Sequence, residues 1–288
     1  MMLDIIIHCR YLKQNHKGGS RAPPASSAMK RLIAVIALLA ASMLEAKPVG
    51  FMENFFRKNG LDGTVIMRSL KSGQERVYNK KRSTERFSPA STFKIPNTLI
   101  ALQEKALESD DRMFTWDRVE RPVPAWNRDL NLEDAFQSSC VWCYQELARK
   151  VGRATYGRYL GEMRYGNAEI GNDIAAFWLD GSLRISAREQ IGVLMKIHAK
   201  SYRFDRAHYD TLERIMRVES AETYTIRAKT GWAMGTEPQV GWYVGWVETG
   251  DDVWFFAINM DIRKPQNARF RKEALYAAMV EIGIINIR

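Results

Sequence analysis

Ser91-Thr92-Phe93-Lys94 sets a hydroxyl and an amine three residues apart, the spacing that brings both to one side of a helical turn. A serine hydroxyl attacks a carbonyl only when a neighbouring base takes its proton, and lysine is a base only when neutral. An unperturbed lysine titrates at about 10.4, so burial must lower it by several units for this pair to work near pH 7. Ala90, Phe93 and Ile95 provide apolar surroundings of the required kind. Pro89 after Ser88 suggests a helix start, with Ser88 as the cap and Ser91 close to the positive end of the helix dipole. Pro96 lacks an N–H and should kink this helix or split off the turn that carries Ser91. Spacing alone decides little, because Ser27-Ala28-Met29-Lys30 matches too.

The histidine route to a serine nucleophile is nearly closed. Beyond residue 46 the chain has only His198 and His208, and neither lies near a Gly-x-Ser-x-Gly elbow. Ten residues apart, they also fall outside zinc-ligand spacing, so no metal is expected. A second group supports acyl transfer. Lys229-Thr230-Gly231, followed by Trp232, falls at the end of an expected strand. There a cation, a hydroxyl and a glycine could bind a substrate carboxylate and pair with its amide. Lys71-Ser72-Gly73 is a decoy at a hairpin tip.

The elements that must position these groups follow from hydrophobic periodicity. A short amphipathic helix is expected at 49–58, then strands at 63–69 and 76–79 joined at Lys71-Ser72-Gly73. From 83 to about 218 the pattern becomes helical, with Leu99, Leu102 and Leu107 on one helix and Val141, Tyr144, Leu147 and Val151 on another. Ser186 and Glu189 form a capping box opening a helix to Lys200. Strands at 225–229, 240–248 and 253–261 and a closing helix at 268–282 complete the chain. This order implies an α+β fold: one central antiparallel sheet flanked by the N- and C-terminal helices, with a helical lobe at roughly 83–218 and a cleft between lobe and sheet.

The 288 residues are 46% hydrophobic and 26% charged, which suits one large globular domain at 47–288. The formal charge is +10, but residues 1–46 hold six basic and only two acidic residues. The excess in the remainder is small and unclustered, which fits a small anionic substrate and argues against nucleic acid. Lys30-Arg31, the apolar run 32–41 and small residues to Ala46 read as a cleavable secretory signal at 29–46, too short to span a bilayer. Residues 1–28 fit neither signal nor domain and are expected to be a doubtful leader, with translation starting at Met29. An exported chain keeps Cys140 and Cys143 in an oxidising compartment. Both fall on one expected helix, where a bridge has poor geometry, so free buried thiols are the favoured state.

Four elements in order, Ser91-Thr92-Phe93-Lys94, Ser139-Cys140-Val141, Tyr165-Gly166-Asn167 and Lys229-Thr230-Gly231, resemble those of the class D, oxacillinase-type, serine β-lactamases. The likeness runs from about residue 51 to 285. A class A enzyme would have Ser-Asp-Asn where this chain has Ser139-Cys140-Val141. The resemblance implies that Ser91 is acylated by β-lactam antibiotics, penicillins and oxacillin-type compounds among them. It implies that Lys94 carries carbon dioxide as a carbamate, with no other cofactor, and that this carbamate is the base. Trp178 would donate a hydrogen bond to it, and Val141 and Leu179 would wall the pocket. Ser139, helped by Lys229, would protonate the departing nitrogen. The backbone N–H groups of Ser91 and Trp232 would form the oxyanion hole, with Thr230 and Gly231 on the docking edge. Arg271 is the best match for the arginine that binds the substrate carboxylate, with Arg263 and Arg269 as rivals. Cys143 and Trp142 depart from the pattern and bear on substrate range. The cleavable signal at 29–46 makes a periplasmic or secreted enzyme with no stable membrane insertion the expectation, with a homodimer left open. A penicillin sensor and a D,D-peptidase are the rival readings.

Overall fold

The computed structural model describes residues 50–107 and 113–286. The expected leader and signal lie outside them. Among the described residues no helix is long and apolar enough to cross a membrane.

Helix α1 (Phe51–Lys58) buries Met52 and Phe56 and ends at Asn59, whose Nδ2 donates to the Phe55 carbonyl at 2.8 Å. The chain then enters a six-stranded antiparallel sheet made of β1 (Gly63–Ser69), β2 (Glu75–Tyr78), β5 (Arg217–Ser220), β6 (Tyr224–Ala233), β7 (Gln239–Thr249) and β8 (Val253–Ile262). Their order across the sheet is β2-β1-β8-β7-β6-β5. The decoy Lys71 sits at the β1–β2 turn, two-thirds exposed, where its amine meets Asp251 and its backbone N–H donates to Asp252.

Both sheet faces are covered, so side chains of alternating direction are buried on both sides. Val65 and Met67 of β1 and Phe256, Ile258 and Met260 of β8 pack under α1 and the closing helix α8 (Phe270–Glu281). Ile66, Val244, Trp246, Phe255 and Ala257 face the opposite way, into a larger core shared with α6 (Ala187–His198) and the helical lobe. The capping box at Ser186 and Glu189 is present. The lobe comprises α2 (Lys94–Gln103), α3 (Leu132–Gln137), α4 (Val141–Val151), α5 (Arg153–Met163) and α7 (Arg206–Ile215).

The α+β architecture agrees with the sequence reading and differs from it in detail. Leu107 lies beyond the end of α2. Strand β5 at the sheet edge has no alternating apolar pattern, since three of its four residues are exposed. Two two-residue strands, β3 (Arg86–Phe87) and β4 (Ile185–Ser186), pair Arg86 with Ser186 and Phe87 with Ile185. They are too short for periodicity to reveal, yet they anchor the chain directly before Ser91.

A nearly buried ion pair supports the same lead-in. Arg82 reaches Asp261 of β8 at 2.7 Å, donates from Nε to Asn259 Oδ1 at 2.7 Å and lies over the Phe87 ring. Removing one partner of such a pair strands a charge in low dielectric. Asp261→Ala is expected to cost about 3 kcal/mol, seen as a fall in thermal midpoint of roughly 6–12 °C. An unchanged midpoint would show that Arg82 finds water instead.

Candidate active site

Ser91 lies on a 3₁₀ turn, Ala90–Phe93, and Lys94 opens helix α2 immediately after it. Pro96 falls in the first turn of α2, where an N–H is not needed, so the expected separation of the Ser91 turn from the helix is present. Ser88 does not cap this helix. Its hydroxyl donates to the Trp178 carbonyl at 2.9 Å, and the Ala90 N–H donates to the same oxygen at 3.0 Å. The Ser88 carbonyl in turn accepts from Trp242 Nε1 at 2.8 Å. The turn is thereby fastened to the sheet through Trp242 and to the lobe through Trp178.

Lys94 is 1% exposed, and its Nζ lies 3.4 Å from Ser91 Oγ and 4.6 Å above the centre of the Tyr144 ring. Burial, and then the charge of nearby Lys229, hold its amine well below the usual lysine range. The Tyr144 hydroxyl, paired with Thr98 Oγ1 at 2.7 Å, has its own titration pushed up by burial. Trp178 is fully buried, and its indole N–H has no hydrogen-bond partner among the described residues. A buried donor left unpaired is costly, and a native protein seldom keeps one without a use for it.

Tyr165-Gly166-Asn167 fixes the segment that carries Trp178 and Leu179. Asn167 Nδ2 donates to the Ser182 carbonyl at 2.8 Å, and its Oδ1 accepts the Arg184 N–H at 2.8 Å. Gly166 has φ +58°, and a Cβ there would fall 1.9 Å from the Arg184 carbonyl oxygen, so only glycine lets the two stretches meet. The Tyr165 ring packs on Phe93 at 5.5 Å, and Trp178 stacks on the other side of this cluster at 5.8 Å from Phe93.

Ser139 ends α3 in a left-handed conformation, φ +59°. Its N–H donates to the Phe136 carbonyl at 3.1 Å and the Cys140 N–H to the Ala135 carbonyl at 2.8 Å, the paired bonds of a Schellman motif. Glycine is usual at such a position, and a side chain there costs about 1 kcal/mol. The hydroxyl is put to use, because its Oγ accepts a hydrogen bond from Lys229 Nζ. Lys229 is 4% exposed and also donates to the Thr230 carbonyl at 3.2 Å. Its pKa is lowered to about 7 by burial, then by the charges of Arg271 and Lys272.

The thiol expectation is overturned: Cys140 and Cys143 form a disulfide. The reason is the helix boundary. Helix α4 starts at Val141, so Cys140 is its N-cap with φ −50° and ψ 115°, outside the helical geometry that would make such a bridge poor. Likewise, Lys229-Thr230-Gly231 does not end a strand, since β6 continues through Trp232 to Ala233 paired with β7.

Gly231 brings β6 against the Ser91 turn. A Cβ there would lie 2.8 Å from the Pro89 carbonyl and 3.3 Å from the Thr92 nitrogen. Opposite Trp232 stands Gly241, and a Cβ on it would strike Arg271 Cδ at 2.7 Å. Arg271 therefore crosses β7 into the cleft, where it donates to the Gly231 carbonyl at 2.6 Å and the Ala268 carbonyl at 2.7 Å. Its rivals lie exposed, Arg263 on Asp62 and Arg269 on Glu273. Ser91, Ser139, Val141, Leu179, Thr230, Gly231, Trp232 and Arg271 all line one cleft of about 620 Å³. Lys94, Trp178 and Lys229 are buried behind it. Sequence reasoning missed Val123, Trp126 and Met234, which complete its apolar rim. Val123 and Met234 sit in irregular segments and Trp126 in a three-residue 3₁₀ turn, Pro124–Trp126, all too short for a period to show.

A buried lysine beside a serine, a second serine bonded to a second lysine, and a strand edge with an arginine behind it define a serine acyl-transfer site on an α+β fold. Residues 53–280 match the family described as the penicillin binding protein transpeptidase domain. The β-lactamase OXA-48 of Klebsiella pneumoniae is 42% identical over 207 residues, 72% of this chain and 78% of that protein. The β-lactamase OXA-20 of Pseudomonas aeruginosa is 36% identical over 229 residues, 79% of this chain and 85% of that protein. Among solved structures, the class D β-lactamase YbXI from Nostoc superposes with a TM-score of 0.80 at 36% identity, over 81% of this chain and 99% of that one. FUS-1, a class D β-lactamase of Fusobacterium nucleatum subsp. polymorphum, gives 0.79 at 36% identity over 82% and 98%. The chain belongs to the class D β-lactamases and is a serine hydrolase.

The depressed Lys229 has a consequence for stability. Its folded value of about 7 lies below its ordinary 10.5. Between the two, the unfolded chain holds a proton that the folded chain has lost, so stability rises with pH across that window. The cost of burying this amine is complete below the folded value and gone above the unfolded one. Lys229→Met should therefore gain more stability over the wild type at about pH 6 than at about pH 9.5, measured by denaturant unfolding. An equal difference at both pH values would show that the amine is not depressed.

Proposed function

We propose that this enzyme hydrolyses β-lactam antibiotics through an acyl-enzyme on Ser91, with Lys94, carboxylated by carbon dioxide, as the general base of both steps. The observation that carries the reading is Lys94 itself, an amine buried to 1% exposure and 3.4 Å from the Ser91 hydroxyl. Only a neutral amine captures carbon dioxide, and burial favours that form. The unpartnered indole N–H of Trp178 fits a donor to the resulting anion. Bound there, the group would supply a negatively charged base with a pKa suited to neutral pH.

The residues of this chain do the rest. Ser91 gives up its proton and attacks the lactam carbonyl. Backbone N–H groups of Ser91 and Trp232 receive the oxyanion, a contribution whose loss typically costs about 2.7 to 4 kcal/mol. The substrate carboxylate meets Arg271, which still has guanidinium N–H groups beyond the two that hold Ala268 and Gly231. Ser139 passes its proton to the departing nitrogen and is resupplied by Lys229, whose value of about 7 suits proton exchange near neutrality. Water activated at the Lys94 side then releases the product. Export by the signal expected at 29–46 would put the enzyme in the periplasm or outside the cell, where it would confer resistance to penicillins and oxacillin-type compounds.

Nitrocefin turnover separates this reading from a sensor that stays acylated, and release of D-alanine from a cell-wall peptide would reveal a peptidase. Ser91→Ala should abolish turnover and the covalent adduct seen by mass spectrometry. Trp178→Ala should still acylate but hold a penicillin adduct, with release slowed about 100-fold or more, the scale of a lost general base. Rapid release by that variant would contradict the role given to the indole.

A further inference from the structure

The disulfide is left over once Ser91, Lys94, Ser139 and Lys229 have their roles. Cys140 belongs to two motifs at once. It is the last residue of the Schellman motif that holds Ser139, through its N–H on the Ala135 carbonyl, and it is the N-cap of α4, where its Sγ accepts the Cys143 N–H at 3.2 Å. Capping alone does not account for a cysteine there. Sulfur is a weak acceptor, and serine, threonine, asparagine or aspartate serve better. What only cysteine adds is the covalent link to Cys143, one turn into α4, and both residues are fully buried in the lobe core.

The bridge ties the N-cap of α4 to its first turn, next to two cleft residues. Ser139 precedes it, and Val141 lies inside the loop it closes. Ser139 is held in the left-handed region, which its backbone would leave if free to relax. Relaxation would swing its Oγ off Lys229 and would have to carry Cys140 with it. Cys140 cannot follow while it is bonded to a residue inside α4. We propose that the Cys140–Cys143 bridge is a positioning element for the proton relay, holding Ser139 Oγ on Lys229 Nζ so that acylation depends on the oxidised pair. This rests on the reading that Ser139 serves acylation.

Single-turnover acylation by nitrocefin in stopped flow tests it, on Cys143→Ala, Ser139→Ala and the double variant. Acylation by Cys143→Ala should slow about tenfold, while release of the acyl-enzyme stays within about twofold of wild type. In the Ser139→Ala background the cysteine change should add nothing, because the two act as one unit. An unchanged acylation rate per active site in Cys143→Ala, with only a lower thermal midpoint, would leave the bridge a structural staple and overturn the inference. So would fully additive losses. A wild-type rate in Ser139→Ala would instead remove the relay reading, and the bridge inference with it. If Cys143→Ala does not fold, Cys140→Ser carries the same test, since its hydroxyl can still accept the Cys143 N–H.

Discussion

Everything in this site depends on keeping the amine of Lys94 out of water. A protonated lysine in a fully buried position is expensive, and the cost is removed when the proton is given up. Burial thus favours the neutral form of a residue that would be a cation on any surface, the form that a nucleophile or base requires. Lys229, also buried, reinforces the effect by repulsion, and is itself depressed by burial and by Arg271 and Lys272. Two lysines and an arginine that would all be fully protonated in water are thus each held below their ordinary range in this cleft, with burial the largest cause for every one of them.

The surrounding fold supplies that dryness and the geometry together. Trp178 and Trp242 hold the Ser91 turn from two sides, while Tyr165, Phe93 and Phe177 fill the space around it with edge-on rings. Glycines at 166, 231 and 241 are points of contact, each placed where a methyl group would collide with backbone or with Arg271. Gly231 lets the sheet reach the Ser91 turn, Gly166 lets two stretches of the lobe meet, and Gly241 leaves room for Arg271.

Much of this was legible in the sequence. The long strands are near-continuous apolar runs bounded by turn signals, the capping box is a local signal, and Ser91 with Lys94 could be separated from the match at Ser27 by order and company. What escaped was decided by tertiary contact. Strands β3 and β4 are two residues long, and β5 is mostly exposed, so none leaves a periodic trace. Val123 and Met234 reach the cleft from irregular segments and Trp126 from a three-residue 3₁₀ turn. The cysteine pair was misread because the boundary of α4 was placed too early: one residue decides whether Cys140 is inside a helix or at its cap. That Ser139 is left-handed has no signal in a serine codon; only its Schellman bonds reveal it.

The central claim, a neutral Lys94 that takes up carbon dioxide beside Trp178, is tested most directly by carbon-13 NMR of the enzyme with labelled bicarbonate at neutral pH. A single carbamate resonance is expected, absent from Lys94→Ala and weakened in Trp178→Ala. No bound resonance at saturating bicarbonate, or one that persists in Lys94→Ala, would contradict the account.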